Sequence, residues 1–137
     1  MAKLDILYHR VVMNESMKLD KPRSLAVDPL RGYLFWADRE DHSHIGAAAM
    51  DGMGQRHIVV DGLANGIAVD TVTQRIYWVD GNRGVVEVCD CLDYNRRVII
   101  QGGVGRPLFI VLYEEKVYLS SDWGPRKEGR VFVAYLI

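Results

Sequence analysis

The sequence predicts an all-β protein, a partial β-propeller of about three four-stranded antiparallel blades. The first observation behind this is repetition: "SLAVDPLRGYLFWAD" (24–38) lies over "GIAVDTVTQRIYWVD" (66–80) without a gap, so Asp28, Trp36 and Asp38 recur 42 residues on as Asp70, Trp78 and Asp80. A third, worn copy, "RPLFIVLYEEKVYLSSDW" (106–123), carries Tyr118 and Asp122, and Asp122 again lies 42 residues beyond Asp80. The filler repeats too, "IGAAAMDGMGQRHIVV" (45–60) resembling "VVEVCDCLDYNRRVII" (85–100). The second observation is the writing inside one unit: short apolar or alternating runs parted by turn residues, with nothing that favours a helix of useful length. Four strands in a period of about 40 to 45 residues is the signature of a propeller blade.

Residues 1–20 match poorly and read as the end of a preceding blade or a linker. Residues 21–61 form the first full repeat. Its strands are expected at Leu25 to Val27, Tyr33 to Ala37, Ile45 to Met50 and His57 to Val60, joined by "DPLRG" and "MDGMG". Aspartate, proline and glycine supply the dihedrals those turns require. Residues 62–103 form the second repeat, and residues 104–137 a degenerate, truncated third.

Alternate strand residues point to opposite faces of a sheet, so the pairs Phe35–Trp36 and Tyr77–Trp78 each place one ring on either side of a blade. A blade packed between two sister blades needs such a pair, which is why the phrase recurs. Asp38, Asp80 and Asp122 close their strands, where a carboxylate can accept turn N–H groups or pair with an arginine.

Composition narrows the function. With 49% hydrophobic residues, the 137-residue chain has material for a core, but a period in the forties makes it an array whose units bury their faces on each other. A net charge of −1 with no basic patch argues against nucleic acid. No apolar run approaches the ~18 residues of a membrane span, and the start lacks the basic-then-apolar order of a secretory signal. Cys89 and Cys91, two apart in a strand, point the same way without disulfide geometry and read as small buried thiols. No metal cluster with zinc spacing and no cofactor motif is present.

At "FWAD", "YWVD" and the degraded "YLSSD" the sequence resembles the YWTD repeats of the low-density-lipoprotein receptor family, which includes receptor-related proteins, megalin-like endocytic receptors, vitellogenin receptors and Wnt co-receptors. The resemblance runs nearly continuously over residues 21 to 123. Departures are Ala37 and Val79 in place of the motif's threonine, and Leu119 in place of the third tryptophan, with one additional serine. The resemblance implies a closed six-bladed propeller, of which this chain supplies about three blades. Its end blades would then each offer a face made to be covered. About 500 Å² of apolar surface per face corresponds to roughly 12 kcal/mol of forgone burial. Association is therefore expected, two three-blade halves closing one ring as a homodimer.

The resemblance also implies a non-catalytic module of an extracellular endocytic receptor, acting at the plasma membrane and in endosomes. It would bind protein ligands or neighbouring EGF-like and ligand-binding modules through blade-top loops. By position these loops hold Arg39, Glu40, Asp41, His42 and His44, then Asn82 and Arg83, then Trp123, Arg126, Lys127 and Glu128. Trp123 is the expected anchor, because an indole on a loop buries a large area and keeps a donor. His42 and His44, read as neighbours on an exposed loop, could sense endosomal pH, since imidazole titrates near 6.5. "NES" at 14–16 marks Asn14 as an N-glycosylation acceptor. Two other readings stand beside this one: a calcium-dependent, lactonase-like propeller hydrolase with Asn65 as an inward ligand, and a purely structural spacer.

Overall fold

A computed structural model describes residues 10–14, 19, 21–38, 44–59, 64–90, 95–123 and 128–136. All regular structure among them is strand. The first sheet holds β1 (Pro22–Asp28), β2 (Tyr33–Asp38), β3 (His44–Ala49) and β4 (Arg56–Val59). The second holds β5 (Gly66–Asp70), β6 (Arg75–Asp80), β7 (Val85–Asp90) and β8 (Arg97–Gln101), and the third β9 (Arg106–Tyr113), β10 (Lys116–Trp123) and β11 (Glu128–Tyr135). Each is an antiparallel meander in sequence order. The expected strands of the first repeat are all present, while the third sheet has three strands where the repeat implies four.

The turns follow from the repeated aspartates. Asp28 Oδ1 accepts the N–H groups of Leu30 and Arg31 at 3.1 and 3.2 Å, and Asp70 Oδ1 accepts those of Val72 and Thr73 at 3.0 and 3.3 Å. Each turn then closes in the left-handed region, at Gly32 (φ 71°) and Gln74 (φ 59°). In the third hairpin only Glu114 and Glu115 separate the strands, and the β9–β10 register shifts at Ser120/Ser121, where Leu108 of β9 is the extra residue of a β-bulge. Leu119, in the place of the missing tryptophan, turns inward and is 1% exposed.

The blades pack as the aromatic pairs predict. Phe35, Ala37, Ile45 and Ala47 of the first blade share one buried cluster with Ile67, Ile76 and Trp78 of the second. Tyr77, Val79, Val86 and Val88 share another with Ile110, Val117 and Leu119 of the third. Consecutive residues Tyr77 and Trp78 thus serve opposite interfaces, and Phe35 and Trp36 repeat the arrangement. The first strands of the blades lie nearest one another, β1 beside β5 and β5 beside β9. At Gly66 the approach is closest, since a Cβ there would meet Leu108 O and Phe109 Cα at 2.9 Å.

Two faces are open. On the third blade Phe109, Val111, Tyr113, Val131, Val133 and Tyr135 are exposed, between 46% and 78%. On the first blade Leu25 and Val27 are exposed beside the buried Trp36.

Candidate protein-binding rim

The rim is the edge where β2 and β6 end in Asp38 and Asp80 and where β10 ends one residue past Asp122. Asp38 and Asp80 are buried, and their carboxylates organise backbone rather than face solvent. Asp80 Oδ1 accepts the N–H groups of Asn82 and Arg83 at 3.0 and 3.1 Å. Asp38 Oδ1 accepts Lys21 N–H at 2.6 Å, tying the approach to β1 to the end of β2. Asp122 pairs with Arg106, and Ser121 Oγ donates to the Val104 carbonyl beside it. Asp80 thus accepts turn N–H groups and Asp122 pairs with an arginine, while Asp38 accepts an N–H from the segment ahead of β1.

Asn65 links the second and third blades: its N–H donates to Val79 O at 2.8 Å, and its Nδ2 donates to Pro107 O at 3.3 Å. Gly81 gives it room, since a Cβ there would stand 2.3 Å from Asn65 Nδ2. Ser24 does the equivalent one interface earlier, its Oγ accepting Ile67 N–H at 3.1 Å.

The candidate contact residues divide sharply. Asn82 is exposed on the rim, as expected. Arg83 is half exposed, but its guanidinium is engaged, with Nη1 3.3 Å from Glu87 Oε2 and 3.9 Å from Asp80 Oδ2. His44 is not a loop residue: it opens β3 opposite Asp38, is 4% exposed, and stacks on His57 with ring centroids 3.9 Å apart. The strand starts one residue earlier than the apolar run suggested, because the pairing of His44 with Asp38 extends the β2–β3 ladder. Trp123 likewise belongs to β10, pairing with Glu128 at the hairpin end, and its side chain lies outside the described residues. Glu128 is exposed in β11. Arg39, Glu40, Asp41, His42, Arg126 and Lys127 lie outside the described residues. Asn14 is exposed, Cys89 is buried as expected, and Cys91 lies outside the described residues.

Sequence reasoning missed Glu87 and Arg106. Glu87 is 3% exposed. It accepts the indole N–H of Trp78 at 3.1 Å and both Nε and Nη2 of Arg96 at 2.9 and 3.0 Å. One acid inside the apolar run "VVEVC" was the available signal. Arg106 follows a glycine-rich run, and only the three-dimensional pairing with Asp122 reveals its role. Among the described residues no three His, Cys, Asp or Glu side chains gather to hold a metal ion, and no helix is long and apolar enough to cross a membrane.

No family model matches the chain. Curated relatives do: over 108 residues, 77% of this chain, it is 41% identical to the vitellogenin receptor Yl of Drosophila melanogaster. The repeats are YWTD repeats of the low-density-lipoprotein receptor family. Over 102 residues, 72% of the chain, it is 33% identical to human low-density lipoprotein receptor-related protein 5. These YWTD blades span about 5 to 6% of the length of such relatives. Among solved structures, a chain of the nidogen/laminin complex superposes with a TM-score of 0.77 at 26% identity, covering 95% of this chain and 48% of that one. A gluconolactonase from Xanthomonas campestris superposes with a TM-score of 0.61, also at 26% identity, covering 74% of this chain and 35% of the other. The YWTD receptor relatives and the β-propeller fold agree with the expectation drawn from "FWAD" and "YWVD".

Proposed function

We propose that these blades are part of the extracellular propeller of an endocytic receptor, a non-catalytic module that holds protein through its rim and works at the cell surface and in endosomes. The observation that carries this reading is the likeness to a vitellogenin receptor over 108 residues, and it makes a yolk-precursor or lipoprotein-type protein the ligand class. The rim supports it chemically. Asp38 and Asp80 are buried, while Lys21 and Arg23 are exposed, so a partner surface rich in carboxylates is favoured. Neighbouring receptor modules are candidate partners for the same reason.

The test is ligand capture by the intact receptor. Replacing Asn82, Trp123 and residues 39–43 is expected to lower capture at least tenfold with surface display unchanged, and unchanged capture would leave the spacer reading. Release in acid is a further part of the proposal. His42→Gln is expected to remove the affinity difference between neutral pH and about pH 5.5, the range in which imidazole titrates.

A metal-dependent hydrolase is the second reading, favoured by the gluconolactonase likeness and by Asn65, whose buried Oδ1 has no hydrogen-bond partner among the described residues. Calcium-dependent lactone hydrolysis, abolished by Asn65→Ala, would select it.

A further inference from the structure

We infer that Arg83 is a carboxylate-binding anchor: an acid network inside the second blade fixes its guanidinium at the rim and leaves one edge open to an Asp or Glu side chain of a partner protein. The inference deepens the rim reading above and rests on it for the class of partner.

The repeats act as an internal control. In the first blade Gly46 stands opposite Trp36, so a blade of this kind closes with no acid at that position. Glu87, in the matching place opposite Trp78, is an addition of the second blade. Arg83 is another, since Asp41 stands 42 residues before it. A buried carboxylate is costly unless it is paired. Here Trp78 Nε1 donates to it at 3.1 Å, and Arg96 Nε and Nη2 reach its two oxygens at 2.9 and 3.0 Å. Arg83 Nη1 comes as one more donor, at 3.3 Å to Oε2. Of the two arginines it is the one at the surface, half exposed where Arg96 is 28% exposed.

Arg83 is held at both ends. Its backbone N–H donates to Asp80 Oδ1 at 3.1 Å beside that of Asn82 at 3.0 Å, and Gly84 N–H closes the turn on Asp80 O at 2.9 Å. The turn is wedged against the third blade: a Cβ at Gly81 would meet Pro107 O at 3.0 Å, and one at Gly84 would meet Gly105 O at 3.0 Å. At the far end Nη1 lies 3.3 Å from Glu87 Oε2 and 3.9 Å from Asp80 Oδ2. The guanidinium is planar, so fixing Nη1 also aims the edge that carries Nε and Nη2. Those two atoms have no partner among the described residues. Their parallel N–H groups match the two oxygens of a carboxylate. Because the side chain is already immobilised, little rotamer freedom is lost on contact, which is what makes a rim arginine an anchor rather than a solvated charge.

Titration of the full chain, labelled with nitrogen-15, by a tetraglutamate peptide tests this. The Arg83 Nε–H resonance, assigned by its loss in Arg83→Lys, is expected to shift with the peptide. That of Arg96, whose Nε already donates to Glu87, is expected to stay in place. Arg83→Lys keeps the charge and loses the fork, so it is expected to bind the peptide at least about fivefold more weakly, with the Trp78 indole N–H resonance still present as the sign of an intact blade. An Arg83 resonance that does not move, an equal shift with a tetraglutamine peptide, or equal binding by folded Arg83→Lys overturns the proposal. Each of these results leaves the rim reading to its own test, capture by the intact receptor, which does not depend on one arginine.

Discussion

Trp78 donates its indole N–H to Glu87 directly across β6 and β7, whereas Trp36, its counterpart one repeat earlier, faces Gly46 and its buried Nε1 has no acceptor among the described residues. The two blades solve the same packing problem differently. In the second, the glutamate holds Trp78 and Arg96 together, with the Arg96 guanidinium 5.6 Å from the indole centroid. In the first, the indole lies over the bare glycine.

Glu87→Ala is expected to lower stability by about 3 kcal/mol, because it leaves a buried indole N–H and the partly buried Arg96 guanidinium without their acceptor. Chemical denaturation followed by tryptophan fluorescence measures it. A loss under about 1 kcal/mol would show that the network contributes little beyond packing.

Gly46→Ala tests the other blade. Its Cβ would fall 2.3 Å from Trp36 Cζ2, so the indole must move, at a cost of about 1–3 kcal/mol. Gly66→Ala meets backbone of β9 instead, which cannot rotate away. It is expected to cost at least as much and to loosen the contact between the second and third blades, which hydrogen exchange at Ile110 and Leu112 would register.

Most of the fold was legible because a blade has few degrees of freedom. Strand alternation, the Asp28 and Asp70 turns and the two-sided aromatic pairs each leave a mark in residue type, and a constant period ties them together. The rim was less legible. His44 and Trp123 sit at strand ends, where ladder extension by a single pair decides between strand and loop, and local writing does not report that pairing. Arg106 and Asn65 act through partners on another strand or blade, so their roles emerge only once the sheets are placed side by side.

Asp28 gives the account a pH signature. Burial works to raise its carboxyl, but the Arg31 ion pair at 2.6 Å and the N–H groups of Arg31 and Leu30 outweigh it and hold the group below the ordinary value of 3.8. A carboxyl lowered on folding adds stability that is complete above its unfolded value and disappears as pH falls through the folded one. Stability is therefore expected to be level from pH 7 to about 5, and to drop below about pH 4. Asp28→Asn should remove that part of the drop in acid denaturation monitored by circular dichroism.

Asn14 is exposed and begins an acceptor triplet. Produced through a eukaryotic secretory route, the chain is expected to run more slowly on a gel than after glycosidase treatment, and Asn14→Gln should abolish the difference.

The most direct measurement of the central claim is a set of nuclear Overhauser contacts from the neighbouring rings of Tyr77 and Trp78. The account predicts that Trp78 shows contacts to first-blade residues such as Phe35 and Ala47, and that Tyr77 shows contacts to third-blade residues such as Val117 and Leu119. If both rings report the same neighbours, or neither reaches another repeat, the sandwiched-blade account is contradicted.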